Sequence, residues 1–438
     1  MKKIFILIFV LCCVRMLVAQ EFTAIKGRVT DQWLPQVKLY ETIDGVPVVC
    51  AVAKVESDGS FGFLVKPKKP GFYVLGEDEK MNFPVYVKGG EEINIELQEN
   101  KATLVGKNTK ENVQLYKWID YSYNIWFKGV FFNKIISTYE DFFPEYERFI
   151  EGLPAFKATL KSGNKIFDAL LKEWIDYSAD YYGIALLYTP RSKHPKASDY
   201  PAYYSQIVNP AKFTDEDVLA FPNGITMLRL YAIFAAAQKN INPADKVAYE
   251  QACLEALPSD RLKGEFVVDR FFSQYRTYEE YLDGMNKFGK YWLSPSLKAR
   301  AEAVGTKLYK TRAGGVAADF TYPDVNGKNV SLSDFKGKVV LIDVWATWCG
   351  PCKQEIPHLK KLEEEMEGTD VVFLGVSVDE ASGLILLQKK NWEEFKSLLV
   401  VGARLLKIIE LTGFLVLLLL IGKGMLFLLM PPVLRILL

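Results

Sequence analysis

The chain has 438 residues, 50% of them hydrophobic and 24% charged, with 54 basic against 53 acidic side chains. That length gives room for roughly two or three domains, and the composition speaks against a disordered chain. A formal charge of +1 leaves no electrostatic footprint for nucleic acid or an acidic polymer as partner.

The opening "MKKIFILIFVLCCVRMLVAQ" reads as a secretory leader over residues 1–19. Lys2 and Lys3 form its basic start, Ile4 to Val14 its apolar stretch, and Ala19 a small residue at the cut. Arg15 and Leu17 make the cleavage end imperfect, and a retained anchor is the rival reading. Cys12 and Cys13 raise lipidation, which Val10-Leu11 ahead of them fits poorly. The mature chain then holds Cys50, Cys253, Cys349 and Cys352, too few for a disulfide-built scaffold. Cys50 and Cys253 read as buried small hydrophobes.

Residues 20–105 show short alternating runs broken by turns: "AIKGRVT", "QVKLYET", "PVVCAVAKV", "SFGFLVK", "GFYVLG", "FPVYVKG" and "EINIELQ". Asp44-Gly45, Asp58-Gly59 and Gly89-Gly90 supply turns between them. This spacing predicts an antiparallel β-sandwich without a cluster of ionisable residues for chemistry. Over residues 106–312 the period changes to three and four, as in "ENVQLYKWIDYSYNIW", "SADYYGIALLY", "GITMLRLYAIFAAAQ", "DKVAYEQACLEAL" and "PSLKARAEAVGTKLYK". Pro190, Pro195, Pro201, Pro210, Pro222 and Pro243 break these runs, and no fixed repeat period emerges. A central all-α region is the expectation. His194, in "RSKHPKASD", reads as a solvated loop residue. The abundant Tyr and Phe are read as core, with a ligand-stacking surface as the alternative.

The last region, 313–438, begins after the helical pattern ends. Asn326-Gly327 makes a hairpin turn, Ser331 to Asp334 a helical turn, and "KVVLIDVWA" a buried parallel-type strand. It runs into "WCGPC", then the helix "KQEIPHLKKLEEEMEG" and the buried strand "DVVFLGVSVD". This βαβ unit sets Cys349 at a helix N-terminus and at a strand's carboxyl end, where open α/β sheets hold their sites. There the dipole and free N–H groups favour a thiolate. Gly350 leaves space in the first turn, and Pro351 fits a position that needs no helical N–H. Three readings stand at this point. Cys349 and Cys352 form a redox pair, half of a zinc site, or a structural disulfide. Zinc needs four ligands, and His358 is the only nearby histidine; a short loop makes a structural disulfide of little value.

The segment from Val316 to Asp379 resembles thioredoxin-like domains of the TlpA type, secreted thiol–disulfide oxidoreductases. The resemblance implies a thioredoxin-like C-terminal domain with Cys349 as the attacking cysteine and Cys352 as the resolving one. It implies that Asp343 shuttles the resolving thiol's proton, that Trp345 and Trp348 flank the site, and that Pro357 kinks the helix. "CKQEIP", with Glu355, matches the Cys-x-x-Glu-x-Pro extension of the secreted branch. It further implies protein disulfide substrates, an upstream electron donor, a periplasmic or envelope location, and no cofactor or metal beyond the cysteine pair. "KGRV", "DGSF" and "VKGGEEINIEL" resemble the β-rich module found ahead of thioredoxin domains in secreted proteins of Gram-negative bacteria.

Past Asp379 the pattern departs. "ASGLILLQKK" adds an apolar stretch, and Leu415 occupies the place of the family's cis-proline, between Gly413 and Gly424. "LTGFLVLLLLIGKGMLFLLMPPVLRILL" is read as a closing hairpin of the sheet, as a membrane-associating tail interrupted by Lys423, or as a degraded segment. The rival functional reading is an envelope partner-binding protein whose redox domain is impaired by that tail.

Overall fold

The computed structural model describes residues 22–30, 34–77, 83–131, 137–239, 241, 245–310, 312, 314–324, 327–346, 349–377, 398–401, 416–421 and 425–429. The leader at 1–19, Asn326, Trp348, Gly413, Leu415 and Gly424 lie outside the described residues. The chain divides into two compact units, Met1–Asp269 and Arg270–Leu438.

The first unit opens with eight strands: β1 (Thr23–Val29), β2 (Gln36–Ile43), β3 (Val46–Lys54), β4 (Ser60–Val65), β5 (Gly71–Gly76), β6 (Phe83–Val87), β7 (Glu92–Leu97) and β8 (Ala102–Leu104). They form two four-stranded sheets, ordered β4-β1-β7-β8 and β3-β2-β5-β6. Asp44 and Gly45 both take positive φ, 51° and 75°, as a two-residue hairpin turn requires. All pairings in these sheets are antiparallel except β1 with β7, which run parallel. This corrects the all-antiparallel expectation: five strands intervene between β1 and β7, so no hairpin dictates their relative direction. Cys50 is a second correction, being exposed, whereas Cys253 is buried. In the β2–β3 ladder Leu39 faces Ala51 and Tyr40 faces Val49, so Cys50 is the extra residue of a bulge.

Helices follow: α1 (Lys110–Val130), α2 (Tyr139–Thr159), α3 (Lys165–Tyr188), the single turn α4 (Tyr204–Ile207), α5 (Gly224–Ala237), α6 (Lys246–Glu255) and α7 (Asp260–Phe266). Thr109 caps α1, accepting from the Asn112 N–H. Asn112, fully buried, bonds both backbone groups of Tyr86: its Oδ1 accepts from the N–H at 2.8 Å and its Nδ2 donates to the carbonyl at 2.9 Å. The edge strand β6 thus finds in a side chain the partner that a further strand would supply. Much of the aromatic content is core. Phe72 of β5 lies 4.8 Å from the Trp174 ring of α3, and Tyr86 of β6 lies 4.7 Å from Phe167.

The second unit holds α8 (Tyr278–Lys287) and α9 (Pro295–Lys310), which meet where the Tyr281 ring lies over Gly305. A short hairpin follows, β9 (Thr321–Pro323) with β10 (Asn329–Ser331), then a 3-10 turn over Leu332–Phe335. Next come β11 (Val339–Trp345), α10 (Gly350–Glu365), β12 (Val371–Ser377), β13 (Leu398–Val401), β14 (Val416–Ile421) and β15 (Met425–Leu429). The last five strands form one sheet in the order β13-β12-β11-β14-β15. β11, β12 and β13 are parallel, and β14 and β15 return antiparallel on the other side of β11. Of the tail, residues 416–421 and 425–429 are therefore paired antiparallel with each other, and 416–420 with β11, as in a closing hairpin. Among the described residues no helix is long and apolar enough to cross a membrane.

Strand alternation sorts β11 between two small cores. Val340, Ile342 and Val344 pack with Phe320, Val330, Leu374 and Val376. Leu341 points the other way, onto Leu359 and Leu362 of α10. Burying each such leucine stabilises by about 1.5–3 kcal/mol, which fixes α10 on that face.

Candidate active site

Cys349 and Cys352 are joined by a disulfide, with their Cα atoms 5.3 Å apart. Cys349 is the N-cap of α10, in extended conformation, and the Cys352 N–H points at its sulfur from 3.2 Å. When the disulfide is reduced, that same N–H and the positive end of the helix are the groups that hold a Cys349 thiolate. The next rung is already helical, with the Lys353 N–H donating to the Cys349 carbonyl at 3.2 Å. Gly350 and Pro351 begin the helix, where an absent proline N–H costs no intrahelical bond. A Cβ on Gly350 would meet nothing within 4 Å, so the glycine is not required by packing; it leaves the surface beside Cys349 bare. Both cysteines are nonetheless largely covered, Cys349 being 6% exposed and Cys352 2%.

Asp343 sits on β11 six positions before Cys349, on the strand face that α10 covers. It is 7% exposed, and its Oδ1 has no hydrogen-bond partner among the described residues. Burial first, and the Glu355 charge second, push its carboxyl up to about 7. The spacing of β11 also brings Trp345 to this face; it is buried at the strand's end, opposite Ser377 in the register. Pro357 lies inside α10 with its side chain exposed, and its ring removes one bond from the helix ladder. Glu355 is half-buried one turn after Cys352, while His358 is exposed.

The site thus brings Cys349, Cys352, Asp343, Trp345 and Glu355 to the joint of β11 and α10. Two participants were not read from the sequence: the Cys352 N–H as a donor to Cys349 Sγ, and Glu355 as the charge that acts on Asp343. The first follows from a cysteine at an N-cap; the second needs strand and helix periods taken together. The only group of three potential ligand side chains found among the described residues lies in the other unit. There Glu173, Asp215 and Asp217 bring carboxylate oxygens within 4.8 Å of one another. Burial first, then those two acids, push Glu173 up to about 7.

A parallel strand–helix–strand unit with a Cys-Gly-Pro-Cys disulfide at the helix N-terminus defines a thioredoxin-like domain. Residues 313–405 match the model of the AhpC/TSA family. Over 75 residues the chain is 37% identical to the thiol-disulfide oxidoreductase ResA of Bacillus thuringiensis, covering 17% of this chain and 43% of the relative. ResA of Halalkalibacterium halodurans is 31% identical over 105 residues, 22% of this chain and 60% of the relative. The thioredoxin-like protein YneN of Bacillus subtilis is 44% identical over 69 residues, 14% and 41%. The chain therefore spans about half the length of the curated relatives it matches. Among solved structures it is similar to the thioredoxin domain of a thiol-disulfide oxidoreductase from Bacteroides vulgatus. That match has 30% identity over 26% of this chain and 86% of that one, with a TM-score of 0.23.

Proposed function

We propose that the protein is a TlpA-type thiol–disulfide oxidoreductase of the periplasm or cell envelope, exported by the leader at 1–19. The observation that carries this reading is the Cys349–Cys352 disulfide at the head of α10, beside the central strand. In the reduced protein the Cys349 thiolate attacks one sulfur of a substrate disulfide, and the other substrate sulfur leaves as a thiolate that takes a proton from water. Cys352 gives its proton to Asp343 and attacks Cys349 Sγ. The Cys349–Cys352 bond forms, the mixed disulfide breaks, and the second substrate sulfur leaves as a thiolate that takes a proton from water, while Asp343 returns its proton to solvent. Two electrons have passed from protein to substrate, and an upstream dithiol donor restores the reduced pair. The cysteine pair is the only redox group this scheme needs. Residues 20–105 would form the β-sandwich module and 106–312 the helical region ahead of the redox domain at 313–438.

The test is reduction of insulin disulfides by the full chain, pre-reduced. Wild type should reduce insulin, Cys349→Ser should be inactive, and Cys352→Ser should accumulate a mixed disulfide visible by mass. Turnover that survives Cys349→Ser would sink the mechanism.

A further inference from the structure

We propose that residues 209–216 form a releasable strap, closed over α3 and α5 by side-chain anchors and tied through Arg261 to the β2–β3 hairpin of the same unit. Among the described residues, three that are not glycine take positive φ: Asp44 at 51°, Phe213 at 65° and Glu216 at 62°. Asp44 belongs to an Asp-Gly hairpin turn, where aspartate tolerates that conformation. A bulky Phe213 does not, and strain of this kind persists only where the surroundings over-determine it.

The surroundings do so through side chains. The Tyr231 hydroxyl of α5 brackets Asn209, donating to its carbonyl at 3.0 Å and accepting from its N–H at 3.2 Å. Lys212 pairs with Asp180 of α3, whose Oδ1 also accepts from the Tyr203 hydroxyl at 2.8 Å. Phe213 is 2% exposed, its ring 4.7 Å from that of Tyr177 and 5.0 Å from that of Tyr231. Glu216 accepts from the Ser259 hydroxyl and, at 3.2 Å, from Arg261 Nη1. Among the described residues the strap's backbone-to-backbone bonds are local turns, from Lys212 to Asn209, Glu216 to Phe213 and Leu219 to Glu216. Lifting the strap therefore breaks side-chain anchors, relieves both left-handed residues and leaves every helix and strand of the unit paired. It uncovers the Tyr177 and Tyr231 rings and the Asp180 carboxylate, an aromatic and acidic surface that the closed strap hides.

Arg261 links this state to the β-rich part of the chain. Its planar fork puts Nη1 on Glu216 and Nη2 on Asp44 Oδ1, the latter at 2.8 Å. One cation thus holds the end of the strap and the tip of the hairpin. Beside it the Ile225 N–H of α5 donates to the Gly45 carbonyl at 3.4 Å. A displacement of the hairpin tip takes Asp44 from the fork and weakens the strap's last anchor, and by linkage an open strap loosens the hairpin.

The experiment is native-state proteolysis of the full oxidised chain by trypsin, with initial rates of each cut read by mass. Trypsin should cut after Lys212 at a rate indifferent to low urea. Cleavage after Lys172, inside α3, should be slower and rise with urea, because that helix must unfold first. Arg261→Ala should speed the Lys212 cut roughly two- to fivefold relative to the Lys172 cut, the size of one part-exposed ion pair. Taking the ratio cancels a general loss of stability. Asp44→Gly keeps the left-handed turn and removes only the carboxylate. It should speed the Lys212 cut in the wild-type background and add nothing beside Arg261→Ala. Arg261→Lys keeps the charge without the fork and should abolish the Asp44 dependence too. A Lys212 cut that appears only with the urea-dependent Lys172 cut overturns the strap. An Asp44→Gly chain whose Lys212 cut is unchanged, or whose effect persists beside Arg261→Ala, overturns the link to the hairpin.

Discussion

Replacing Asp343 by Asn should make the redox domain more stable above neutral pH. The Asp343 carboxyl is pushed from its ordinary 3.8 to about 7, first by burial. In the unfolded chain it ionises near ~3.9. The folded state therefore holds the proton more tightly, and the stability due to the neutral carboxyl is fully present below about pH 4. It is lost as the pH rises through about 7, beyond which the penalty is constant. At ~1.36 kcal/mol per pH unit, the gap of about 3 units corresponds to a loss on the order of 4 kcal/mol. Asn keeps the shape of the neutral acid without the charge. The variant should match wild type below about pH 4 and exceed it by a few kcal/mol at pH 8. Urea unfolding of the oxidised full chain, read by hydrogen exchange of the amides in Val339–Trp345, reports this sheet separately from the other unit. The difference between the two proteins cancels every other titrating group. If that difference stays flat from pH 5 to pH 8, Asp343 is not the buried acid described here.

Two further substitutions probe other parts of the argument. Gly350→Ala should fold with stability within about 0.5 kcal/mol of wild type or slightly higher, because its Cβ meets nothing within 4 Å. It should nonetheless lower kcat/KM for insulin by crowding the bare surface beside Cys349; an unchanged value would mean that substrates approach elsewhere. Asn112→Ala strands the Tyr86 N–H and carbonyl and should cost about 2–4 kcal/mol, seen as an earlier helix-melting transition in far-UV circular dichroism.

Much of the first unit was legible because its strands alternate and its turns carry Gly at positive φ, as at Gly45 and Gly59. What escaped depended on distant parts of the chain. Helix α2 contains Pro144 and Pro154, residues that locally argue for a break. It forms regardless, because Phe142, Phe143, Tyr146 and Phe149 are buried, with the Tyr146 hydroxyl donating to the Ala179 carbonyl at 2.9 Å. Tertiary burial outweighs a local cost there. Cys50 fails as a core residue for a different reason: the burial usual for a free cysteine gives way where Cys50 is the extra residue of a bulge in β3, the edge strand of its sheet, and lies exposed.

The redox site divides along the same line. Cys349 and Cys352 could be placed because the apolar run of β11, the helix start and the Gly-Pro spacer are contiguous in sequence. Asp343 stands six residues away, and its burial follows only if its side of β11 is the side α10 covers. Leu341 settles that, since it and Asp343 are separated by one full strand period and Leu341 packs on Leu359. Glu355 is a step further from the sequence. Its reach to Asp343 needs the strand's rise per residue set against the smaller rise of a helix running the other way. Neither period alone distinguishes it from a solvated glutamate one turn past a cysteine. Once both are fixed by the leucine contacts, a carboxylate at that turn must raise the proton affinity of the buried acid beside it.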